Sequence, residues 1–139
     1  MTPIDSPPQV RSAFLLLWAS LAIGTLEGVI ALFVPGLSED ELGHFLWWIL
    51  AGTLLLVAAN AYFIYGAARR KNWARIVLLS LAILSLLVLL VSHFMLPAEW
   101  SDEDWWSNAT FGARAIMDAI AIYWLFTGAG ASWYSTEKV

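Results

Sequence analysis

Four long apolar stretches dominate this sequence and constrain its fold more than any other feature. They run over about residues 13–34, 45–66, 76–96 and 111–131, and none carries more than two charged residues. Because the hydrocarbon core of a bilayer is about 30 Å thick, a helix needs about 20 mostly apolar residues to cross it. The stretches therefore predict four transmembrane helices. They take up most of the chain, so we expect one transmembrane domain over residues 1–139.

The composition excludes a water-soluble surface. Hydrophobic residues make up 60% of the chain and charged residues 13%, whereas charged residues average about 25% in soluble domains. We therefore expect an all-α integral membrane protein, a four-helix bundle with up-down-up-down order. The absence of cysteine excludes thiolate metal sites and cysteine nucleophiles. A net charge of −4 argues against a nucleic-acid partner.

Basic residues are concentrated on one side of the predicted membrane. Six of the seven lie before the first span, around the loop between the second and third spans, or in the tail: Arg11, Arg69, Arg70, Lys71, Arg75 and Lys138. The other two loops contain acidic residues and no basic ones. Because Lys and Arg collect in cytoplasmic loops, we predict that both termini are cytoplasmic.

Tryptophans gather at the predicted membrane boundaries. Those at the outer boundary are Trp47, Trp48, Trp100, Trp105 and Trp106, and those at the inner boundary are Trp73 and Trp133. Aromatic belts at both interfaces explain this distribution. The alternative is that Trp100, Trp105 and Trp106, together with the acidic outer loops, form a rim that binds sugars or a partner protein.

The stretch GAARRKNWARI over residues 66–76 ends one predicted span and opens the next. It resembles the loop of uncharacterised small four-span bacterial inner-membrane proteins, which often read G-K-N-W-A-R-I there. The tail, with Phe126-Thr127-Gly128 and then Trp133-Tyr134, is similar to their C-terminal ends. The resemblance implies a bacterial inner membrane and this four-span topology, and it implies no activity.

Three charged residues interrupt the apolar spans: Glu27 in the first, and Arg114 and Asp118 in the fourth. Such residues cost about 2.5–3.5 kcal/mol each on insertion scales and usually face the bundle interior. Gly24 and Gly28 form a GxxxG pattern beside Glu27, and this pattern lets another helix approach closely. We expect the first and fourth spans to face each other, with Arg114 bridging Asp118 and Glu27.

Two carboxylates and one guanidinium leave this cluster with one excess negative charge, which a low-dielectric interior disfavours. Either one acid, with Glu27 the first choice, is held protonated, or His93 contributes a positive charge, or an external cation binds. The cluster is then either a structural triad that fixes helix register or binds a partner helix, or a site that binds a ligand or couples transport to proton movement. A further alternative is that Glu27 faces another subunit or a pore. A metal site using His93 and His44 is disfavoured, because neither has a second histidine at helical spacing.

Asn60 is the strongest polar group of the second span, and Thr53 lies on the same face. We expect Asn60 to make an interhelical hydrogen bond worth about 0.6–2 kcal/mol. Its predicted depth is the inner half of the membrane, away from the charged cluster. A continuous polar path is therefore not expected, which argues against a channel.

Enzymatic activity has little support, since the chain lacks a Ser–His–Asp spacing, an HExxH motif and a Gly-rich phosphate loop. We expect a non-enzymatic membrane protein without cofactor that acts as an accessory or partner-binding subunit. Its partners would be membrane lipid and another membrane protein, or a second copy through Gly24 and Gly28. The alternative is a small proton- or cation-coupled transporter that uses Glu27.

Overall fold

A computed structural model describes residues 6–31, 39–95 and 105–135 of the chain. It contains five helices: α1 Pro8–Ala31, α2 Glu39–Ala68, α3 Asn72–Met95, α4 Trp105–Phe126 and α5 Gly128–Ser135. These ranges contain no β-strand. The all-α prediction is therefore confirmed.

The first four helices form a bundle in which consecutive helices run in opposite directions. Each packs against its neighbour in sequence, and α1 packs most extensively against α4, which closes the ring. The start of α1, the end of α2, the start of α3 and the end of α4 meet in one buried cluster that includes Val10, Ala67, Ala74 and Leu125. We call this the basic end of the bundle, because the Arg-Arg-Lys turn at 69–71 lies there.

The outer surface of the bundle is apolar. Each of the four helices presents large exposed hydrophobic side chains, among them Leu15, Leu26, Leu54, Leu55, Ile83, Leu87, Ile116 and Tyr123. Three described segments are long and apolar enough to cross a membrane: Pro8–Ile30, Leu50–Ala68 and Ala109–Phe126. Helix α3 adds a shorter apolar segment, Asn72–Val88. Such a surface is stable only in lipid. The chain is a multi-pass membrane protein.

A tight turn connects α2 to α3. The Lys71 N–H donates to the Gly66 carbonyl at 3.1 Å and the Arg70 N–H to the Ala67 carbonyl at 2.9 Å, which is the Schellman pattern of a helix end. Arg70 takes a φ of 60°, a conformation that costs a non-glycine residue about 1–2 kcal/mol. Its guanidinium stacks on the Trp133 ring at 4.8 Å, which offsets part of that cost.

The fourth helix ends earlier than the predicted span of 111–131. Gly128 has a φ of 51°, which turns the chain after Phe126 and starts the separate helix α5. A Cβ atom at Gly130 would lie 2.9 Å from the Leu125 Cα. Only glycine permits this approach, so α5 folds back onto the end of α4 rather than continuing it.

Arg75 and Tyr134 hold α5 in this position. Arg75 Nη1 donates to the Leu125 carbonyl at 3.0 Å. Its guanidinium carbon lies 4.2 Å from the Phe126 ring centroid and 4.4 Å from that of Tyr134. The Tyr134 hydroxyl donates to the Ala67 carbonyl at 2.6 Å. Arg75, read from the sequence only as an indicator of membrane orientation, therefore satisfies a carbonyl at the end of α4.

Replacing Tyr134 with Phe removes the hydrogen bond to Ala67 and should lower the free energy of unfolding by about 1 kcal/mol at neutral pH. Burial raises the pKa of Tyr134 above its ordinary value, and the charge of Arg75 offsets only part of this rise. A pKa that is higher in the folded state contributes stability below pH of about 10, which is lost as the pH rises further.

Thermal unfolding in detergent, followed by tryptophan fluorescence at several pH values, measures both effects. The difference between the wild type and Tyr134→Phe should shrink above pH of about 10. A difference that stays constant up to pH of about 11 would contradict this role for Tyr134.

Candidate functional site

An ion pair connects α1 to α4 inside the bundle. Arg114 Nη1 donates to Glu27 Oε2 at 3.1 Å. The two side chains are 31% and 25% exposed, respectively. They meet in the most extensive helix–helix contact of the described chain.

The guanidinium of Arg114 rests directly on the backbone of α1 at Gly24. A Cβ atom at Gly24 would overlap the guanidinium carbon and lie 2.6 Å from Nη1. Gly28 is different, because a Cβ there would lie 3.5 Å from the Thr53 methyl group, an ordinary contact. The two glycines of the GxxxG pattern thus contact two different helices of the same chain, α4 and α2.

Asp118 has a neutral partner. The Ser20 side chain lies close enough to act on its carboxyl group as a hydrogen-bond donor, and Arg114 acts on it through charge. Within the described chain, Arg114 forms its ion pair with Glu27 and none with Asp118. This differs from the expected bridge. The Arg114 side chain extends along α1 towards Gly24 and Glu27, whereas Asp118 lies about one turn, roughly 6 Å, nearer the basic end.

A cavity of about 250 Å³ lies between the four helices. Each helix contributes at least one polar side chain to its lining: Ser20 from α1, Asn60 from α2, Ser85 from α3, and Arg114 and Asp118 from α4. The Nε atom of Arg114 is buried and has no hydrogen-bond partner in the protein. A polar cavity of this size accommodates several water molecules.

An apolar layer separates the cavity from the basic end. It consists of one side chain from each helix, all of which line the cavity and are at most 6% exposed: Leu17, Ile64, Leu78 and Ile122. Leu17, Ile64 and Leu78 also belong to the buried cluster that continues to the basic end. The polar part of the bundle is therefore closed on the side of the basic end.

Asn60 differs from the prediction in both partner and position. Its Nδ2 donates to the Leu56 carbonyl of its own helix at 2.9 Å, not to another helix. It lines the same cavity as Asp118, although the sequence placed it away from the charged cluster. Thr53 instead lies against Gly28.

Asn60 lies near Asp118 because of the positions at which α2 and α4 end. α2 ends at Ala68 and α4 at Phe126, so Asn60 and Asp118 each lie eight residues before the basic end of their helices (68 − 60 and 126 − 118). The predicted spans ended at 66 and 131, which placed the two residues at different depths. The turn at Gly128 removes that difference.

Several predicted site residues lie outside the described part of the chain. This holds for Trp100 and for the side chains of His93, His44, Trp105 and Trp106. Conversely, Ser85 lines the cavity without having been singled out from the sequence, because a serine in an apolar run gives no signal of its own. In the described residues, no group of three or more His, Cys, Asp or Glu side chains could hold a metal ion.

Comparison of the chain with known protein families, with curated proteins and with solved structures finds no match. The chemistry of the cavity must therefore be argued from its residues. Glu27 and Arg114 neutralise each other, and Asp118 faces a neutral hydroxyl. The arrangement can accept one proton or bind one small cation.

Gly24→Ala should displace the Arg114 guanidinium from Glu27, because the new methyl group occupies the space of the guanidinium. We expect the free energy of unfolding to fall by about 1 kcal/mol, because a partly buried charged group loses its partner. Thermal unfolding in detergent measures the loss.

Gly28→Ala is the matched control, because its methyl group makes only an ordinary contact with Thr53. It removes the second glycine of the same GxxxG pattern and should leave stability within about 0.5 kcal/mol of the wild type. Equal losses in both variants would show that the glycines act through helix approach alone and not through the ion pair.

Proposed function

We propose that this chain is a non-enzymatic multi-pass protein of a bacterial inner membrane, with the basic end in the cytoplasm, and that it acts by binding a small ligand in its polar cavity. One observation carries the proposal: polar side chains from all four helices line a single cavity in a bundle with an apolar surface. Ionisable groups inside a membrane are costly and usually mark a ligand or ion pathway. The bacterial assignment rests on the resemblance of residues 66–76, and the orientation rests on the distribution of basic residues.

Among ligand-binding functions, proton- or cation-coupled transport fits the cavity best. The cluster of Glu27, Arg114 and Asp118 carries one excess negative charge, which a proton or a cation neutralises. The apolar layer closes the cavity towards the basic end. Transporters bind their substrates near the middle of the membrane and open to one side at a time, and a polar cavity that is closed towards one end of the bundle is compatible with this.

A purely structural triad is less well supported. Side chains that only fix helix register would be expected to fill the space between the helices, since protein interiors are close-packed. The cavity beside Arg114 and Asp118 instead leaves room for a ligand.

The second candidate is an accessory subunit that binds another membrane protein at its outer rim. Trp47 and Trp48 favour it, because these adjacent residues of α2 are 73% and 79% exposed at the end opposite the basic end. Trp100, Trp105 and Trp106 would complete this rim. When such a partner is absent, membrane lipid would contact the exposed tryptophan side chains of the rim.

An exchange assay tests the transport proposal. Proteoliposomes with an acidic interior and an enclosed pH-sensitive dye are diluted into choline chloride, and NaCl, KCl or methylammonium chloride is then added. We expect at least one of these salts to accelerate the rise of internal pH at least tenfold over protein-free liposomes, because the entering cation takes the place of a proton.

Glu27→Gln should abolish this exchange, since it removes one acidic group of the cluster, while Gly28→Ala should exchange at the wild-type rate. Wild-type liposomes that respond to every salt no faster than protein-free liposomes would overturn the transport proposal. In that case capture of a specific membrane partner that depends on Trp47 and Trp48 would support the second candidate.

A further inference from the structure

We propose that Asp118, not Glu27, is the carboxylate that binds the coupling ion, and that this ion is a compact monovalent cation held together with Ser20, Asn60 and Ser85. The shared chemistry is that of Na⁺ and of a primary ammonium ion. Glu27 is a positioning residue that keeps Arg114 away from Asp118. This inference rests on the proposed function, for which it names the ligand and the site.

The charge distribution assigns the site to Asp118. The Arg114 guanidinium is held by Glu27 at 3.1 Å and by its contact with Gly24. Glu27 thus already has a counter-charge. Asp118 has the Ser20 hydroxyl instead, so the excess negative charge of the cluster lies on Asp118.

Each of the four helices contributes an oxygen-bearing side chain to the cavity that Asp118 lines. The Ser20 hydroxyl can donate a hydrogen bond to Asp118 while its oxygen lone pairs stay available to a cation. The amide nitrogen of Asn60 is engaged with the Leu56 carbonyl, which leaves the amide oxygen as an acceptor. Ser85 adds a hydroxyl from α3. Carboxylate, amide and hydroxyl oxygens suit hard cations.

The charged groups around Asp118 favour a cation over an anion. In the described residues, α1 contributes Glu27 and α4 contributes Arg114, and these two neutralise each other. The cavity walls from α2 and α3 contribute neutral polar groups, Asn60 and Ser85. An anion entering the cavity would meet an Arg114 whose charge Glu27 already balances, although its Nε has no hydrogen-bond partner, and would be repelled by Asp118. A cation restores neutrality, and a proton competes with it for the same carboxylate.

Substitution of Glu27 has a consequence that identifies its role. Without Glu27, Arg114 loses its counter-charge and can turn to Asp118, which lies four residues further along the same helix. Such i,i+4 pairs form readily on helices. Glu27→Gln should therefore block the site by supplying Asp118 with a cation from the protein. Removing Arg114 as well should release Asp118.

Cation binding is measured as a shift in the thermal unfolding midpoint of the purified full-length protein in detergent. NaCl or methylammonium chloride is compared with choline chloride at equal ionic strength. We expect the compact cation to raise the wild-type midpoint by about 5 °C, and less at acidic pH because the proton competes. A response to one salt and not the other identifies the ion.

Four variants separate the roles. Asp118→Asn and Glu27→Gln should abolish the shift, whereas the double variant Glu27→Gln with Arg114→Gln should recover at least half of it. Gly28→Ala should keep the full shift. A structural role for the cluster does not produce recovery in the double variant.

Retention of the shift in Asp118→Asn would overturn the inference. So would loss of the shift in Glu27→Gln without recovery in the double variant, and this result would leave the transport proposal intact with Glu27 as the binding carboxylate. Absence of any cation-specific shift in the wild type would also overturn it. The proposed function is judged separately, by the exchange assay.

Discussion

The arrangement of the charged residues in this bundle depends on the ion pair that Arg114 forms with Glu27. A guanidinium among apolar helices needs an acid within reach, and Arg114 has one on the neighbouring helix, in Glu27. Its path to Glu27 crosses α1 at Gly24, where any side chain would block it. The contact between α1 and α4, the most extensive in the described bundle, is built around this crossing. Because Glu27 forms the ion pair with Arg114, Asp118 lies beside Ser20 and in the field of Arg114, and the cavity contains an acid without an ion-pair partner of its own.

The two halves of the bundle have different packing. Towards the basic end, small and aliphatic side chains fill the interior, and the contacts of Arg75 and Tyr134 hold the short helix α5 against the ends of α2 and α4. Beyond the apolar layer, polar side chains stand among aliphatic ones such as Leu21 and Leu81, and the helices leave a cavity. A densely packed base keeps the helices in register, and this register places the polar residues at one level. A binding site needs such support, because its ligands lie on four separate helices.

Much of the charged site could be argued from the sequence. The glycines beside Glu27 and the two charges of the fourth span predict that α1 and α4 meet there, and they do. The partner of Arg114 among two acids could not be decided in this way, because the choice depends on differences of one helical turn in depth. Asn60 illustrates the same limit. The depth of Asn60 was counted from span ends that hydropathy locates only to within a few residues. Asn60 and Asp118 lie at the same level because α4 ends at Phe126 and not at residue 131.

The sequence by itself determined the class of this protein: apolar segments of membrane-spanning length, few charges and a helical interior. These properties follow from the transfer of each segment from water to lipid, which depends on local composition. Only the tertiary structure decided that Glu27 holds Arg114, that Asn60, Ser85 and Asp118 share a cavity, and that Arg75 satisfies the end of α4. These contacts join residues far apart in the chain. Their geometry depends on the axial offset between helices, which is set by the turn at 69–71 and the break at Gly128.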